Sequence, residues 1–433
     1  MKTEVLIIGG GPAGVEAALV ASHYSNQVTL VSNTAVGDWK AGYTNIFLEQ
    51  IEEIKRARSF SNPKFHRIYQ DWLAHQQDLL QKANVQLVHG HASFLNESTI
   101  NVITPSNHEF LLTSEKIIIA NGSRPIFPEN MKPNGRNIFS YQNLIEMNSI
   151  PASIIIIGDS PIGYEAVNLF RQLAVKVTWL LPEKENPLLD DDIISFMHAL
   201  YQDSGVMIER GPWITDIRNG NSSVTAIRQD GEIFEAEAAF LTLGFRSNLD
   251  TLAIENTNLQ LNQNGSVDCN MLGQTARESI YIVGDAQGAN SLTGVQAKAM
   301  ARAAALHAVG QDAVISDILP FSFNENPQIA TIGEYRANGE DLYFLKTPYD
   351  TKNFKAFMAN QREGFLKIVW DRQHVIKGAS CIGHQAKDII SMIGWMIQHH
   401  YTIEDAERLI GPHPSAAELL VSALREVKFQ QHF

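Results

Sequence analysis

Residues 5–14 read Val5-Leu6-Ile7-Ile8-Gly9-Gly10-Gly11-Pro12-Ala13-Gly14, and this stretch decides the fold. Four apolar residues run straight into a G-x-G-x-x-G turn. Helical periodicity follows in VEAALVASHYS, and a second apolar run in QVTLVS. A G-x-G-x-x-G alone is weak evidence; between a strand and a helix it is a dinucleotide-binding signature. Gly9 makes the tight turn, Gly11 lets a diphosphate approach the backbone, and Gly14 lets helix and strand pack closely. The diphosphate then sits on the helix N-terminus at Pro12-Ala13, where N–H groups and the dipole favour negative charge. The acid expected at the end of the second strand is missing. Its place falls near Ser32, so Ser32 or Asn33 is left to offer one hydrogen bond to a ribose.

The pattern recurs. Residues 153–181 run SIIIIG, DSPIG, YEAVNLFRQLA, VKVTWLL, a duplicated βαβ unit that argues for a parallel sheet. The stretch Ile280-Tyr281-Ile282-Val283-Gly284-Asp285 reads as a further buried strand ending in Gly-Asp. After Asn324 the texture changes. PQIATIGE, GFLKIVWD and IKGASCIG alternate as antiparallel strands, and HQAKDIISMIGWMIQHH has helical periodicity. The expected fold is α/β: two Rossmann-like dinucleotide-binding domains, each of three layers, and a C-terminal α+β domain. The expected boundaries are 1–147 and 266–317 for the two parts of the first domain, 148–265 for the inserted second, and 318–433 for the last.

Length and composition narrow the function. The 433 residues suit several domains at roughly 100–200 residues each. With 44% hydrophobic and 19% charged residues, the chain is globular rather than disordered. Its 34 basic and 47 acidic residues give a net charge of -13, which repels phosphate backbones and anionic lipid, so nucleic-acid or membrane partners are not expected. No apolar run approaches a membrane span, and the N-terminal run is too short and glycine-rich for a signal peptide. Two cysteines, Cys269 and Cys381, make no disulfide framework, so a reducing cytoplasm is expected. The histidines, including His399-His400, show no metal spacing, and no metal is expected.

These motifs, in this order, resemble the FAD-dependent pyridine nucleotide–disulfide oxidoreductases: dihydrolipoamide dehydrogenase, mercuric reductase, soluble transhydrogenase. The turn at Gly9–Gly14 looks like that family's FAD turn. The run Ile117-Ile118-Ile119-Ala120-Asn121-Gly122-Ser123-Arg124-Pro125 resembles its ATGSxP crossover, with Asn121 where Thr is usual. Thr275 through Gly284-Asp285 resembles the second FAD motif, whose Asp contacts the ribityl chain and flavin side. His413-Pro414-Ser415-Ala416-Ala417-Glu418 resembles the C-terminal HPTxxE, whose His reaches the partner subunit's flavin site. The resemblance implies FAD, a nicotinamide cofactor and a homodimer.

One element is absent. The family's redox pair, Cys-x4-Cys, falls on Lys40 and Asn45, so GDWKAGYTNIFLE keeps the spacing without sulfur. Thiol–disulfide exchange requires a thiolate, so a dithiol relay there is not expected. The family's Lys after the second Cys, which pairs with a Glu near the flavin N5, aligns with Glu49. The pairing Glu survives as Glu165. Two carboxyls are therefore expected to face each other beside N5, unless Glu49 is merely a solvated helix residue.

The second glycine turn is worn. In Gly158-Asp159-Ser160-Pro161-Ile162-Gly163 the middle Gly is Ser160, which adds a side chain where a diphosphate would approach. The acid position at the end of the next strand is Leu181, and no Arg follows nearby. Glu183 is placed to reach a ribose hydroxyl, and Glu183 with Glu185 would repel a 2′-phosphate, so NADH is favoured over NADPH. His413 and Glu418 carry two readings. A carboxylate partner orients an imidazole for acid/base work; alternatively Ser415-Ala416-Ala417-Glu418 is a capping box. The function expected is an FAD-dependent NAD(P)H oxidoreductase, not a disulfide reductase, passing electrons directly to a small-molecule acceptor such as a second nicotinamide or a quinone. The alternative is a non-turnover or redox-sensing FAD homodimer with impaired nicotinamide binding.

Overall fold

The computed structural model describes every residue except 40–41, 62, 185–188, 221, 289–292, 325, 338, 340, 350–352, 407 and 431–433, and the backbone alone of 428–430. The chain forms two compact units. The first comprises Met1–Lys40, Ser61–Pro128 and Leu243–Ser316; the second comprises Ala41–Phe60, Glu129–Thr242 and Asp317–Phe433.

In the first unit the apolar run becomes the strand Lys2–Ile8, and the glycine turn leads into the helix Pro12–Ser22. That strand lies between two parallel neighbours, Val28–Ser32 and Glu109–Ile119, with Ile7 opposite Leu30 on one side and Ile118 on the other. Strand Ile280–Ile282 joins the far side of Glu109–Ile119, also parallel. A strand buried on both faces is apolar throughout, which is why LII and III appear as unbroken runs. One face is covered by the helices Pro12–Ser22 and Gly294–Ala308, whose alanines interleave. The other face is packed by Phe94, Ile100, Leu249, Leu252, Ile254 and their neighbours.

Leu249, Leu252, Ile254 and Leu259 belong to that core, so residues 243–265 group with the first unit. The sequence-based boundary at 265/266 had assigned them to the inserted domain. Leu249 and Ile254 start short 3-10 turns, Leu249–Thr251 and Ile254–Thr257, and neither strand nor helix periodicity announces this stretch.

The second unit repeats the parallel architecture. The strands Met207–Gly211, Lys176–Pro182, Ser153–Ile157, Ala238–Leu241 and Ile138–Phe139 lie side by side in that order, all parallel. An antiparallel meander, Ile214–Asn219, Val224–Arg228 and Ile233–Ala236, lies beside it. Trp179 is fully buried and donates from Nε1 to the Gly158 carbonyl at 2.9 Å, tying the second glycine turn to its sheet. The C-terminal block is a five-stranded antiparallel sheet, with Gln328–Gly333, Ile376–Gly383 and Phe365–Asp371 at its centre. Helices Ala386–Gln398 and Ala417–Gln430 pack on it.

This block does not separate from the nucleotide-type sheet as a third body. A buried ion cluster joins them: Lys367 donates to both oxygens of Asp190 at 3.1 Å and to Asp192 at 3.0 Å, and Ser380 donates to Asp190 at 2.6 Å. Among the described residues no helix is long and apolar enough to cross a membrane.

Candidate functional site

Each glycine of the first turn has the environment its motif position requires. Gly9 has φ +116°, and a Cβ there would stand 2.3 Å from the Ala120 carbonyl oxygen. A Cβ on Gly14 would stand 1.9 Å from the Gly9 oxygen. Gly11 is different: the nearest atom to its Cβ position is the Asp38 oxygen at 4.0 Å, so this side of the turn is open. No side chain caps the Pro12 helix at Gly11, so its first N–H groups face that open side. Asp285 lies at the end of Ile280–Ile282; Ser123 donates to it at 3.1 Å, and burial pushes its carboxyl pKa up. Asn121 donates from Nδ2 to the Asn248 carbonyl at 2.9 Å, while its Oδ1 is buried without a hydrogen-bond partner among the described residues. Gly122 and Gly284 both have left-handed backbone, at φ +68° and +63°. An open glycine turn, an uncapped helix and an orphaned buried oxygen fit a dinucleotide such as FAD.

Ser32 is placed differently from its expected role. It is buried, and its hydroxyl donates to the Thr34 carbonyl at 2.9 Å and accepts the Thr34 N–H at 3.2 Å. It is committed to its own turn, while Asn33 beside it is exposed.

The second turn has the same skeleton and a different mouth. Gly158 has φ +112°, with the Thr242 oxygen 2.5 Å from its Cβ position, and Gly163 closes on the Gly158 oxygen at 2.7 Å. The Ser160 hydroxyl accepts the Gly163 N–H at 3.3 Å, so it caps the Pro161–Gln172 helix from within. A neutral hydroxyl thus takes one of the N–H groups that the first turn leaves open. Beside this turn a cleft is lined by Gly158, Leu181, Pro182, Glu209, Trp213 and Arg228. Glu183 stands exposed just past the strand end, and Glu185 lies outside the described residues.

Arg210 escapes a linear reading. No arginine closely follows Leu181 in sequence, but the parallel neighbour Met207–Gly211 sets Arg210 opposite Leu181. Its Nη1 donates to the Pro182 carbonyl at 2.9 Å. Its charge also acts on Asp159 in the turn, where burial raises the carboxyl pKa and Arg210 opposes the rise. Only strand register could have announced it.

The segment expected to carry the redox pair forms the helix Tyr43–Glu49. Lys40 lies outside the described residues. Asn45 is half-buried, its Oδ1 without a hydrogen-bond partner among the described residues. The expected pairing of Glu49 with Glu165 does not form. Glu165 is buried, and its partners include the Thr44 hydroxyl on one oxygen and the Asn324 N–H, at 3.0 Å, on the other. Glu49 is exposed. Five residues separate Thr44 from Glu49, a rotation of about 140° on a helix, so the two cannot face the same neighbour. From the described part of this helix, Thr44, a neutral donor, meets Glu165.

The two cysteines are free thiols. Burial pushes Cys269 up to about 11 and Cys381 up to about 12, so neither is a thiolate at neutral pH. His413 and Glu418 are brought together: Nδ1 donates to Glu418 Oε1 at 2.5 Å, on a largely exposed imidazole. The other carboxylate oxygen accepts the Ser415 N–H at 3.3 Å. Half of the capping box is thus present alongside the His–Glu pair. The other half is not: the Ser415 hydroxyl is buried without a partner among the described residues, and the Glu418 N–H goes to the Ser415 carbonyl. Phe354 lies beside the imidazole, ring centres 5.5 Å apart.

Known proteins of similar sequence and shape agree with this geometry. Residues 3–308 match the profile of a family described as pyridine nucleotide-disulphide oxidoreductase, and residues 321–424 match that family's dimerisation domain. The chain is 27% identical to dihydrolipoyl dehydrogenase 2 of Haloarcula marismortui, over 97% of this chain and 96% of that protein. It is 27% identical to a soluble pyridine nucleotide transhydrogenase of Pseudomonas paraeruginosa, over 89% of each. Its fold is similar to that of LpdA from Mycobacterium tuberculosis, with a TM-score of 0.89 at 21% identity over 98% of this chain and 99% of that one. It is also similar to the HOCl-induced flavoprotein disulfide reductase RclA from Escherichia coli, with a TM-score of 0.85 at 20% identity over 98% of this chain and all of that one. With both of its glycine turns, its crossover and its C-terminal sheet accounted for, the chain belongs to the pyridine nucleotide-disulphide oxidoreductase family.

Proposed function

We propose that this protein is an FAD-dependent NAD(P)H oxidoreductase that works without a dithiol relay and delivers electrons directly to a small-molecule acceptor. The observation that carries the reading is sulfur. Neither Lys40 nor Asn45 bears a thiol, and the chain's only cysteines are buried or half-buried groups whose pKa lies far above neutrality. Disulfide exchange begins with a thiolate, and this chain has none poised for it. The transhydrogenase relatives point the same way, since their name describes exchange between pyridine nucleotides.

Bound FAD supplies the two-electron chemistry in this reading. The first glycine turn and the uncapped Pro12 helix hold its diphosphate, and Asp285, buttressed by Ser123, orients the ribityl side. The second turn, at Gly158–Gly163, holds the nicotinamide cofactor. His413, oriented by Glu418, gives or takes a proton at Nε2, the ring nitrogen that Glu418 does not engage. The dimerisation-domain match supports a homodimer in which His413 serves the partner subunit's site. Two cysteines in distant segments make no disulfide framework, which supports a cytoplasmic location.

One observation favours a second reading, a redox-sensing FAD homodimer with impaired nicotinamide binding: Ser160 caps the very helix that should receive the second diphosphate. Anaerobic titration of the yellow protein with NADH and with NADPH separates the two. Bleaching of the flavin band by either nucleotide supports the oxidoreductase; an unbleached flavin supports the sensor. The same preparation is expected to reduce neither lipoamide nor glutathione disulfide, and NADH- or NADPH-dependent reduction of either would overturn the dithiol-free mechanism.

A further inference from the structure

From its diphosphate a bound FAD runs two ways. The adenosine end goes toward the end of the second strand of its βαβ unit, here Val28–Ser32. The flavin end goes the other way, past Asp285. Gly284, the neighbour of Asp285, marks what borders that end. Its Cβ position is 3.4 Å from the Ala13 Cβ and 3.2 Å from the Ala297 Cβ. The first turns of the helices Pro12–Ser22 and Gly294–Ala308 therefore meet beside Asp285.

One side chain at this meeting point has no part in the site described above. The loop after Val28–Ser32 passes the open side of the glycine turn with the Asp38 carbonyl, 4.0 Å from the Gly11 Cβ position, and next presents Trp39. The indole Cζ2 is 3.8 Å from the Cβ position of Gly294, the first residue of the second helix. All of these residues belong to the first unit. Trp39 is 41% exposed, yet its backbone is pinned by the helix Pro63–Lys82. Tyr69 accepts the Trp39 N–H at 3.3 Å and donates to the Asp38 carboxylate. Trp72 donates from Nε1 to the Gly37 carbonyl at 3.1 Å. An open aromatic face on a fixed loop is a platform for a planar ring, because an indole has few rotatable bonds to order when a ligand arrives.

We propose that Trp39 is a flavin-contacting residue whose indole stacks on the isoalloxazine ring of bound FAD. The isoalloxazine is planar and electron-poor and the indole electron-rich, so an offset stack is favourable beyond the area it buries. The proposal rests on the reading that the first unit holds FAD with its ribityl side at Asp285. The contact has an optical signature. An excited flavin takes one electron from an indole that touches it, and the pair recombines by returning that electron. Nothing is consumed, and the flavin emission is lost.

The test uses the FAD-loaded protein and reads flavin fluorescence lifetime in three variants. In the unmodified protein the emission is expected to be strongly quenched, with a lifetime far below that of free riboflavin. Trp39→Phe keeps an aromatic ring and removes the electron donor, and should lengthen the lifetime severalfold. Trp72→Phe, on the same loop contact but with its indole held at Gly37, should leave it quenched. Trp39→Ala removes the stack itself, and should release FAD from the diluted holoprotein about three- to tenfold faster, while Trp39→Phe releases it at nearly the unmodified rate. An unquenched flavin in the unmodified protein overturns the proposal. So does a lifetime indifferent to Trp39→Phe, or an equal lengthening in Trp72→Phe. The visible flavin band checks that each variant is folded and loaded. A protein that purifies colourless and takes up no added FAD overturns the underlying FAD reading and the proposal together; a yellow protein indifferent to Trp39 overturns the proposal alone.

Discussion

Thr44 is the residue on which the candidate site turns away from its relatives' expected pattern. Its hydroxyl and the Asn324 N–H, both neutral, donate to the buried carboxyl of Glu165. Thr44→Val removes one of these hydrogen bonds to a buried carboxyl, which is expected to lower the unfolding free energy by about 1–3 kcal/mol. Glu49→Gln, on the exposed side of the same helix, is expected to change it by less than about 0.5 kcal/mol and to leave the flavin spectrum unaltered. Urea unfolding of both variants checks the pair; equal effects would mean that the helix is rotated from the position described. At the first turn, Gly14→Ala would set a methyl 1.9 Å from the Gly9 oxygen. The strand and helix must separate to admit it, so this variant is expected to purify without bound FAD, read as loss of the yellow absorbance band.

The helix Asp191–Asp203 depends on one charged cluster at its start. Asp190 caps it by accepting the Asp192 N–H at 3.0 Å, and the same carboxylate receives Lys367 and Ser380. Lys367 is 4% exposed and Asp190 1%. Removing one partner strands the other charge, so Lys367→Met is expected to destabilise the fold by about 3–5 kcal/mol. Adding Asp190→Asn keeps the cap and removes the stranded charge, and should recover part of that loss; no recovery would show that packing rather than charge holds the cluster. Asp192 gives the element its pH dependence. Burial raises its pKa, but hydrogen bonds from Lys346 and Lys367 outweigh this and leave it below the usual carboxylate value. A depressed folded pKa means that the unfolded chain binds the proton more readily. The stabilisation is therefore present above the ordinary carboxylate range and lost as pH falls through it, between about pH 5 and pH 2. Asp192→Asn should flatten the acid limb of a stability–pH curve, and an unchanged limb would assign it to other carboxylates.

At the scale of the whole molecule, the dimerisation-domain match predicts a homodimer in light scattering at micromolar concentration, and a monomer there would remove the role given to His413. What the chain determined by itself is what neighbours in sequence can determine. Apolar runs ending in Gly9–Gly14 and Gly158–Gly163 announce two βαβ units, because backbone approach without a Cβ is a local requirement. The alternation in residues 328–383 announces the antiparallel sheet, because a sheet face has a period of two. The His413–Glu418 pair is legible because its members lie five residues apart in one loop and helix start. Tertiary structure decided the rest. Which residue meets Glu165 depends on the angle at which the Tyr43 helix is rotated, and a slip of five positions turns Glu49 to solvent and Thr44 inward. Whether Ser32 is open to a ribose depends on its own turn, which claims its hydroxyl. The charge at the end of Lys176–Pro182 comes from Arg210, about thirty residues onward in sequence and adjacent across a parallel ladder. A parallel neighbour is reached only through a crossover, so its register, and with it the residue that stands opposite Leu181, is fixed by packing and by nothing local in the sequence.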